Sequence, residues 1–328
     1  NDMKKRMSTI VTMLAVAAIC LTGCGNNNAQ TAEPADTSAE ETADEEQAEE
    51  TDAATTETAD AEKSTDTAIM VVSFGTSYND SRDITIGAIE NAIADAFPQY
   101  EVRRAFTSQI IIDKLKERDG LEIDNVQEAL DRAAADGIKN LIVQPTHLMD
   151  GHEYTDLKDE LEGYKDSFEN ISLGAPLLTS DEDFEAVIKA ITDATASYDD
   201  GETAVVFMGH GTDADSNEVY AKLQEKLTAD GFEHYYIGTV EATPSLDDIK
   251  AALKEAGTYK KVVLEPLMVV AGDHANNDMA GDEDDSWKSQ LTAEGYEVEC
   301  LIHGLGENEA IQQIYVEHTQ AAVDGLNK

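Results

Sequence analysis

Two short apolar runs in this chain carry the same pattern 136 residues apart. Ala68-Ile-Met-Val-Val-Ser-Phe-Gly75-Thr76 is matched by Thr203-Ala-Val-Val-Phe-Met-Gly-His-Gly211-Thr212. Lys139-Asn-Leu-Ile-Val-Gln-Pro145 with Gly151 is matched by Lys260-Lys-Val-Val-Leu-Glu-Pro266 with Gly272, both at an offset of 121. Ala175-Pro-Leu-Leu-Thr-Ser-Asp181 echoes Ile302-His-Gly-Leu-Gly-Glu-Asn308, and an amphipathic helix pattern follows each. A repeat of this length means one supersecondary plan used twice. It predicts two halves, 68–199 and 200–328.

Within each half, β-branched runs without alternation are separated by helical spacing. Ile86, Ile89, Ile93 and Phe97 predict a helix over Ile84–Phe97, and Val126–Ala135, Phe184–Ala194, Val219–Leu227 and Leu246–Ala256 read alike. Strands that are apolar on both faces belong to parallel sheets covered on both sides. The expected architecture is α/β, two duplicated parallel-sheet lobes facing a cleft. Ligands of such sheets collect beyond the carboxyl ends of the strands.

The residues before the repeat have another character. Residues 33–66 hold fourteen acids against the single base Lys63, with no aromatic and no Val, Ile, Leu or Phe. Such a segment buries too little apolar area to offset its ordering entropy, so 25–67 reads as a disordered acidic linker. Ahead of it, Lys4, Lys5 and Arg6 precede an apolar run from Ile10 to Leu21, too short for a membrane span. Leu21-Thr-Gly-Cys24 then looks like a bacterial lipobox, with Cys24 lipidated and 1–24 a lipoprotein signal peptide. The expected location is therefore outside, anchored by lipid to the outer face of the bacterial cytoplasmic membrane, or periplasmic. With 23 Lys+Arg against 68 Asp+Glu, the chain carries a net charge of −45 and is no nucleic-acid binder.

Three strand ends in the second half carry metal-ligand residue types. His210 stands between Gly209 and Gly211, Glu241 follows Tyr235–Val240, and His274 follows Val262–Val270 and the turn at Ala271–Asp273. Singly, these read as a loop-packing histidine, a helix-capping acid and a surface residue. Together, two imidazoles and a carboxylate at neighbouring strand ends make an open first-row metal site. Their counterparts in the first half are Phe74, a residue near Thr107–Gln109, and Glu153, so a full ligand set exists once only. Six acids surround His274 in the loop 272–287, which suits delivery of a divalent cation. No Walker loop, dinucleotide fingerprint, nucleophile elbow or CxxC pair is present.

Met208-Gly-His-Gly-Thr212, Gly238-Thr-Val-Glu241, the long run Pro266–Lys288 around Ala-Gly-Asp-His274, and Gly304-Leu-Gly-Glu307 resemble the anaerobic-pathway sirohydrochlorin cobaltochelatases, the class II chelatases. Ser73-Phe-Gly-Thr-Ser77 and Pro145-Thr-His147 agree with them, and the resemblance spans 68–325. It implies a two-lobed chelatase fold that inserts Co²⁺ into a tetrapyrrole in anaerobic cobalamin biosynthesis. It also implies His210 as catalytic base and metal ligand, with Glu241 and His274 completing the metal site. Phe74, Gly75, Thr76 and His147 fall on the substrate side. One departure is Asp213-Ala-Asp-Ser-Asn217, where the family often carries a further histidine. The ligands accept Fe²⁺ or Ni²⁺ as well as Co²⁺. Export sets an alternative beside the enzyme: a tetrapyrrole (haem) or metal-binding lipoprotein on a chelatase fold, for uptake or storage. Whether the chain acts as a homo-oligomer is open at this level.

Overall fold

The computed structural model describes residues 63–326. The predicted signal 1–24 with Cys24, and residues 25–62 of the predicted linker, lie outside the described residues. The first half comprises β1 (Thr67–Ser73), α1 (Asn79–Ile84), α2 (Ile86–Ala96), β2 (Glu101–Phe106), α3 (Gln109–Asp119), α4 (Val126–Ala135), β3 (Asn140–Pro145), α5 (His152–Glu162) and β4 (Asn170–Leu173). Helix α6 (Asp181–Thr195) leads into β5 (Thr203–Gly209), α7 (Glu218–Ala229), β6 (Tyr235–Thr239), α8 (Leu246–Ala256) and β7 (Lys261–Pro266). After these come α9 (Trp287–Ala293), β8 (Glu297–Cys300) and α10 (Glu309–Leu326).

The expected α/β class and duplication are present. The two sheets have the strand orders β2-β1-β3-β4 and β6-β5-β7-β8, and every pair is parallel. All seven residues of β1 and all seven of β5 are buried, which is why neither alternates. Helix starts follow local chemistry: Ser245 and Asp248 form a reciprocal capping box at α8, and Gly257 in a left-handed conformation stops it. The strand order reverses between β1 and β3 and again between β5 and β7. Each reversal opens a crevice at the carboxyl ends of those strands.

Two boundaries differ from the sequence expectation. The helix predicted over Ile84–Phe97 is divided at Thr85, whose backbone leaves the helical region at φ −112° and ψ −80°. Thr85 is fully buried against the second half: a Cβ on Gly304 or Gly306 would come within 2.9 Å of it. The strand predicted over Val262–Val270 ends at Pro266, which has no N–H to extend the ladder. Leu267 still donates to Met208, but Met268 and Val269 accept from Leu305 and Gly306 instead. A contact across the repeat decides the first case, and Pro266 with contacts inside the second half decides the other.

The last helix of each half covers the other half. On the first sheet's side, Tyr315 of α10 donates to the Thr146 carbonyl at 2.9 Å, and Ser172 of β4 donates to the Ala322 carbonyl at 2.6 Å. On the second, Thr195 of α6 donates to the Tyr235 hydroxyl at 3.1 Å, and Asn308 donates to the Ala190 carbonyl. A single apolar cluster, including Ile89, Ile188, Phe207 and Tyr315, therefore runs through both halves. Each such side chain contributes roughly 1.5–3 kcal/mol by its burial, so the two strand-end crevices are held in a fixed relation.

Candidate metal centre

The turn after β5 sets the first ligand. Gly211 has φ +87°, and a Cβ there would lie 2.8 Å from Ala242, so only glycine fits the bend. The same turn recurs after β1, where Gly75 has φ +99° and lies against the Phe106 ring. His210 is left exposed on the crest of its turn, with Nδ1 2.8 Å from the Gly211 carbonyl oxygen. A carbonyl only accepts, so Nδ1 carries the proton and the Nε2 lone pair points outward. The Glu241 N–H donates to the His210 carbonyl at 2.9 Å, which pins the end of β6 to the end of β5.

His274 begins a single π-helical turn, Ala275–Met279, inserted after β7. That turn brings Asp278 round to the imidazole, with Oδ2 2.7 Å from Nδ1. A carboxylate behind a histidine fixes its tautomer, orients its ring and raises its basicity as a ligand. The His210 and His274 rings meet edge to face with centroids 4.6 Å apart. One ligand atom each from His210, Glu241 and His274 lies within 4.8 Å of the others. Small side-chain rotations bring such atoms to the ~2 Å bonds of a first-row divalent ion. His210 and Glu241 are exposed and His274 is partly buried, so the centre stays open on one side. An open three-ligand site suits an ion that must be passed on. Asp278→Asn is expected to weaken Co²⁺ binding about 10- to 100-fold; a metal titration giving an unchanged Kd would contradict the role of Asp278.

The counterpart positions in the first half form no second metal site; they line a cavity. Phe74, Thr107, Gln109 and Glu153 border a space of about 350 Å³ at the carboxyl ends of β1 and β2. Phe74 is 49% exposed and presents a bare aromatic face. Glu153 keeps solvent access, yet the protein packed around it raises its pKa, an effect that His210 partly offsets and Asp156 reinforces. That coupling puts the Glu153 carboxyl within electrostatic reach of His210. Gly75 and Thr76 are buried beneath the turn, where Thr76 Oγ1 accepts from the Tyr78 N–H at 3.2 Å. His147 is 6% exposed and lines neither this cavity nor the one at Ser77–Arg118. Neither of its ring nitrogens has a hydrogen-bond partner among the described residues, and burial lowers its pKa to about 4. The departing residue Asp213 meets His152 of the other half, Oδ1 to Nε2 at 2.9 Å. Of the six acids near His274, Asp273, Asp278 and Asp282 already have partners in Asn277, His274 and Lys288.

A family model described as cobalt chelatase (CbiK) matches residues 67–324. The chain belongs to the cobalt chelatase family. A sirohydrochlorin cobaltochelatase of Salmonella typhimurium is 40% identical over 257 residues, covering 78% of this chain and 96% of the relative. The sirohydrochlorin cobaltochelatase CbiKC of Nitratidesulfovibrio vulgaris is 34% identical over 265 residues, covering 80% of this chain and 93% of the relative. Among solved structures, SirB from Bacillus subtilis with Fe³⁺ superposes with a TM-score of 0.56 at 14% identity, covering 80% of this chain and 98% of that one. The sirohydrochlorin chelatase SirB in complex with cobalt gives 0.54 at 14% identity, covering 80% and 97%. These two likenesses show the cobalt chelatase chain to have a chelatase fold.

Two partners in the centre are not evident from residue types alone. Asp278 lies four residues after His274, one helical turn on, and that spacing is the only signal of it in the sequence. Tyr78 carries no sequence signal at all. Its hydroxyl interacts with Asp273 and Asn277, and burial together with Asp273 raises its pKa.

Proposed function

We propose that the chain is a sirohydrochlorin cobaltochelatase, a lyase-type chelatase that inserts Co²⁺ into the tetrapyrrole ring. The observation that carries this is the cluster of His210, Glu241 and His274, with a ligand atom from each within 4.8 Å of the others, on a chelatase fold. Insertion places a dication in the ring and releases two pyrrole N–H protons, so an ion and a base are needed at one place. His210, Glu241 and His274 hold the ion through an open coordination sphere, leaving positions for pyrrole nitrogens. As the ion passes to the ring, the freed Nε2 of His210 accepts one proton, because its Nδ1 is committed to the Gly211 carbonyl. Glu153 is the second acceptor: its raised pKa brings a carboxylate closer to the basicity that proton uptake at neutral pH requires. Phe74 gives the macrocycle a flat apolar surface to lie on.

Cobalt as the physiological metal is supported by the names of the two relatives, since the donor set itself accepts several first-row ions. The lipobox-like Leu21–Cys24 supports anchoring through lipid on Cys24 at the outer face of a bacterial cytoplasmic membrane. A complete ligand set beside a base favours turnover over storage on the same fold. Parallel anaerobic assays with Co²⁺, Fe²⁺ and Ni²⁺, followed by tetrapyrrole absorbance, test the proposal. Co²⁺ is expected to insert fastest and well above the uncatalysed rate. Faster Fe²⁺ insertion would overturn the metal assignment, and no acceleration with any ion would overturn the chelatase reading.

A further inference from the structure

The metal ligands and the Phe74 cavity leave the carboxylates of the substrate without a partner. Sirohydrochlorin is a polyanion, and the cavity beside Phe74 offers it Glu153, Asp156 and Glu160 but no cation. A second cavity, of about 400 Å³, is lined by Ser77, Tyr78, Asn79, Asp80, Lys114 and Arg118. Its wall adjoins the metal loop, because a Cβ on Gly272 would lie 3.4 Å from Thr76 Oγ1, immediately before the segment that lines the cavity. Ser81, just beyond the cavity, accepts from the Ala271 N–H at 3.1 Å and ties the two loops together.

Lys114 is exposed and forms no ion pair among the described residues. Arg118 and the buried Arg82 both donate to one neutral oxygen, Asn79 Oδ1, each at 2.8 Å. Asp119 pairs bidentately with Nε and Nη2 of Arg118, which leaves Nη1 to face a ligand, and Asp83 lies 3.6 Å from Arg82. Asn79 therefore fixes Arg118 at the cavity wall, and Lys114 is the lining cation without a carboxylate partner among the described residues, with Asp80 the one acid on the lining. Fixed guanidinium groups and a free ammonium bind carboxylates with little further ordering.

We infer that this pocket receives a carboxylate side chain of the tetrapyrrole, with Lys114 and Arg118 as its contacts, and so sets the macrocycle's orientation over the metal ligands. The inference rests on the substrate class proposed above. Attraction of this kind also draws a polyanion into a cleft that the chain's overall charge otherwise disfavours.

The test measures two constants with the full chain. One is the Kd for sirohydrochlorin without metal, by absorbance titration; the other is the pair of KM values for sirohydrochlorin and Co²⁺. For Lys114→Gln/Arg118→Gln, the Kd and KM for the tetrapyrrole are expected to rise about tenfold and lose much of their salt dependence. The KM for Co²⁺ and kcat are expected to stay within about twofold. Lys114→Arg should bind like the wild type, and Lys254→Gln, which removes a charge from α8, should change nothing. If loss of the Arg118 contacts unfolds the double variant, Lys114→Gln alone still reads the effect. An unchanged Kd, or an equal rise in Lys254→Gln, would overturn the pocket while leaving the chelatase reading intact. A wild type that binds sirohydrochlorin without metallating it would remove the chelatase reading, and the Kd ratio would still decide the pocket. No binding by the wild type would overturn both.

Discussion

His210→Ala is expected to lower the cobalt insertion rate by a factor on the order of 10³, within the range for loss of a positioned base. Its Nδ1 is held by the Gly211 carbonyl, so Nε2 alone faces the cleft, and the substitution removes both an ion ligand and a proton acceptor. His274→Ala removes a ligand but leaves His210 and Glu153 in place. Extra Co²⁺ should therefore restore more of its rate than it restores to His210→Ala. The glycines beside His210 shape the turn and the side chain itself is exposed, so His210→Ala should fold normally. Initial rates across a Co²⁺ series check this. A His210→Ala enzyme with wild-type kcat would contradict the role of the imidazole.

The second large effect concerns stability rather than rate. Glu265 lies near the end of β7, and its Oε2 is buried without a hydrogen-bond partner among the described residues. Desolvation pushes its pKa from the ordinary 4.5 up to about 7; His303 opposes the shift and Glu307 adds to it. The charge of Glu265 in turn raises the pKa of Tyr198 and Tyr235. Between pH 4.5 and 7 the folded chain keeps a proton there that the unfolded chain has released. Stability is consequently present in full below pH 4.5 and drains away as pH rises through 7. The loss is about 3 kcal/mol for a shift of this size. The repeat supplies the remedy, because Gln144 stands at the equivalent place in β3 and donates to the Pro145 and Ala175 carbonyls. Glu265→Gln should match the wild type in melting temperature at pH 4 and exceed it by several degrees at pH 8. An offset that is the same at both pH values would show that the charge is not responsible.

Much of this architecture could be read from the sequence because the chain states its plan twice. Apolar runs ending in Phe74-Gly75-Thr76 and His210-Gly211-Thr212 fix where strands stop, and the duplication gives every strand-end residue a counterpart. That comparison singled out His210, Glu241 and His274, which the structure brings within 4.8 Å of one another. What periodicity cannot convey is which sheet a helix covers. The exchange of α6 and α10 between the halves depends on contacts such as Tyr315 to Thr146, 169 residues apart. The break at Thr85 has the same origin, since it is imposed by Gly304 and Gly306. His147, expected on the substrate side, is buried with both ring nitrogens unpartnered among the described residues, and the motif Pro145-Thr-His147 does not convey that burial. Lys114 and Arg118 sit on the solvent side of α3 and read as ordinary surface charges, because the sequence does not show that residues 77–80 line one cavity with them.

The central claim is that the ion held by His210, Glu241 and His274 is handed to a tetrapyrrole and the centre is then refilled. Counting the cobalt-sirohydrochlorin formed per chain, with both Co²⁺ and sirohydrochlorin in large excess under anaerobic conditions, tests it most directly. Product should accumulate linearly through many equivalents per chain. A plateau at one equivalent would mean that the cleft binds its ligands without releasing a product, and would contradict the account.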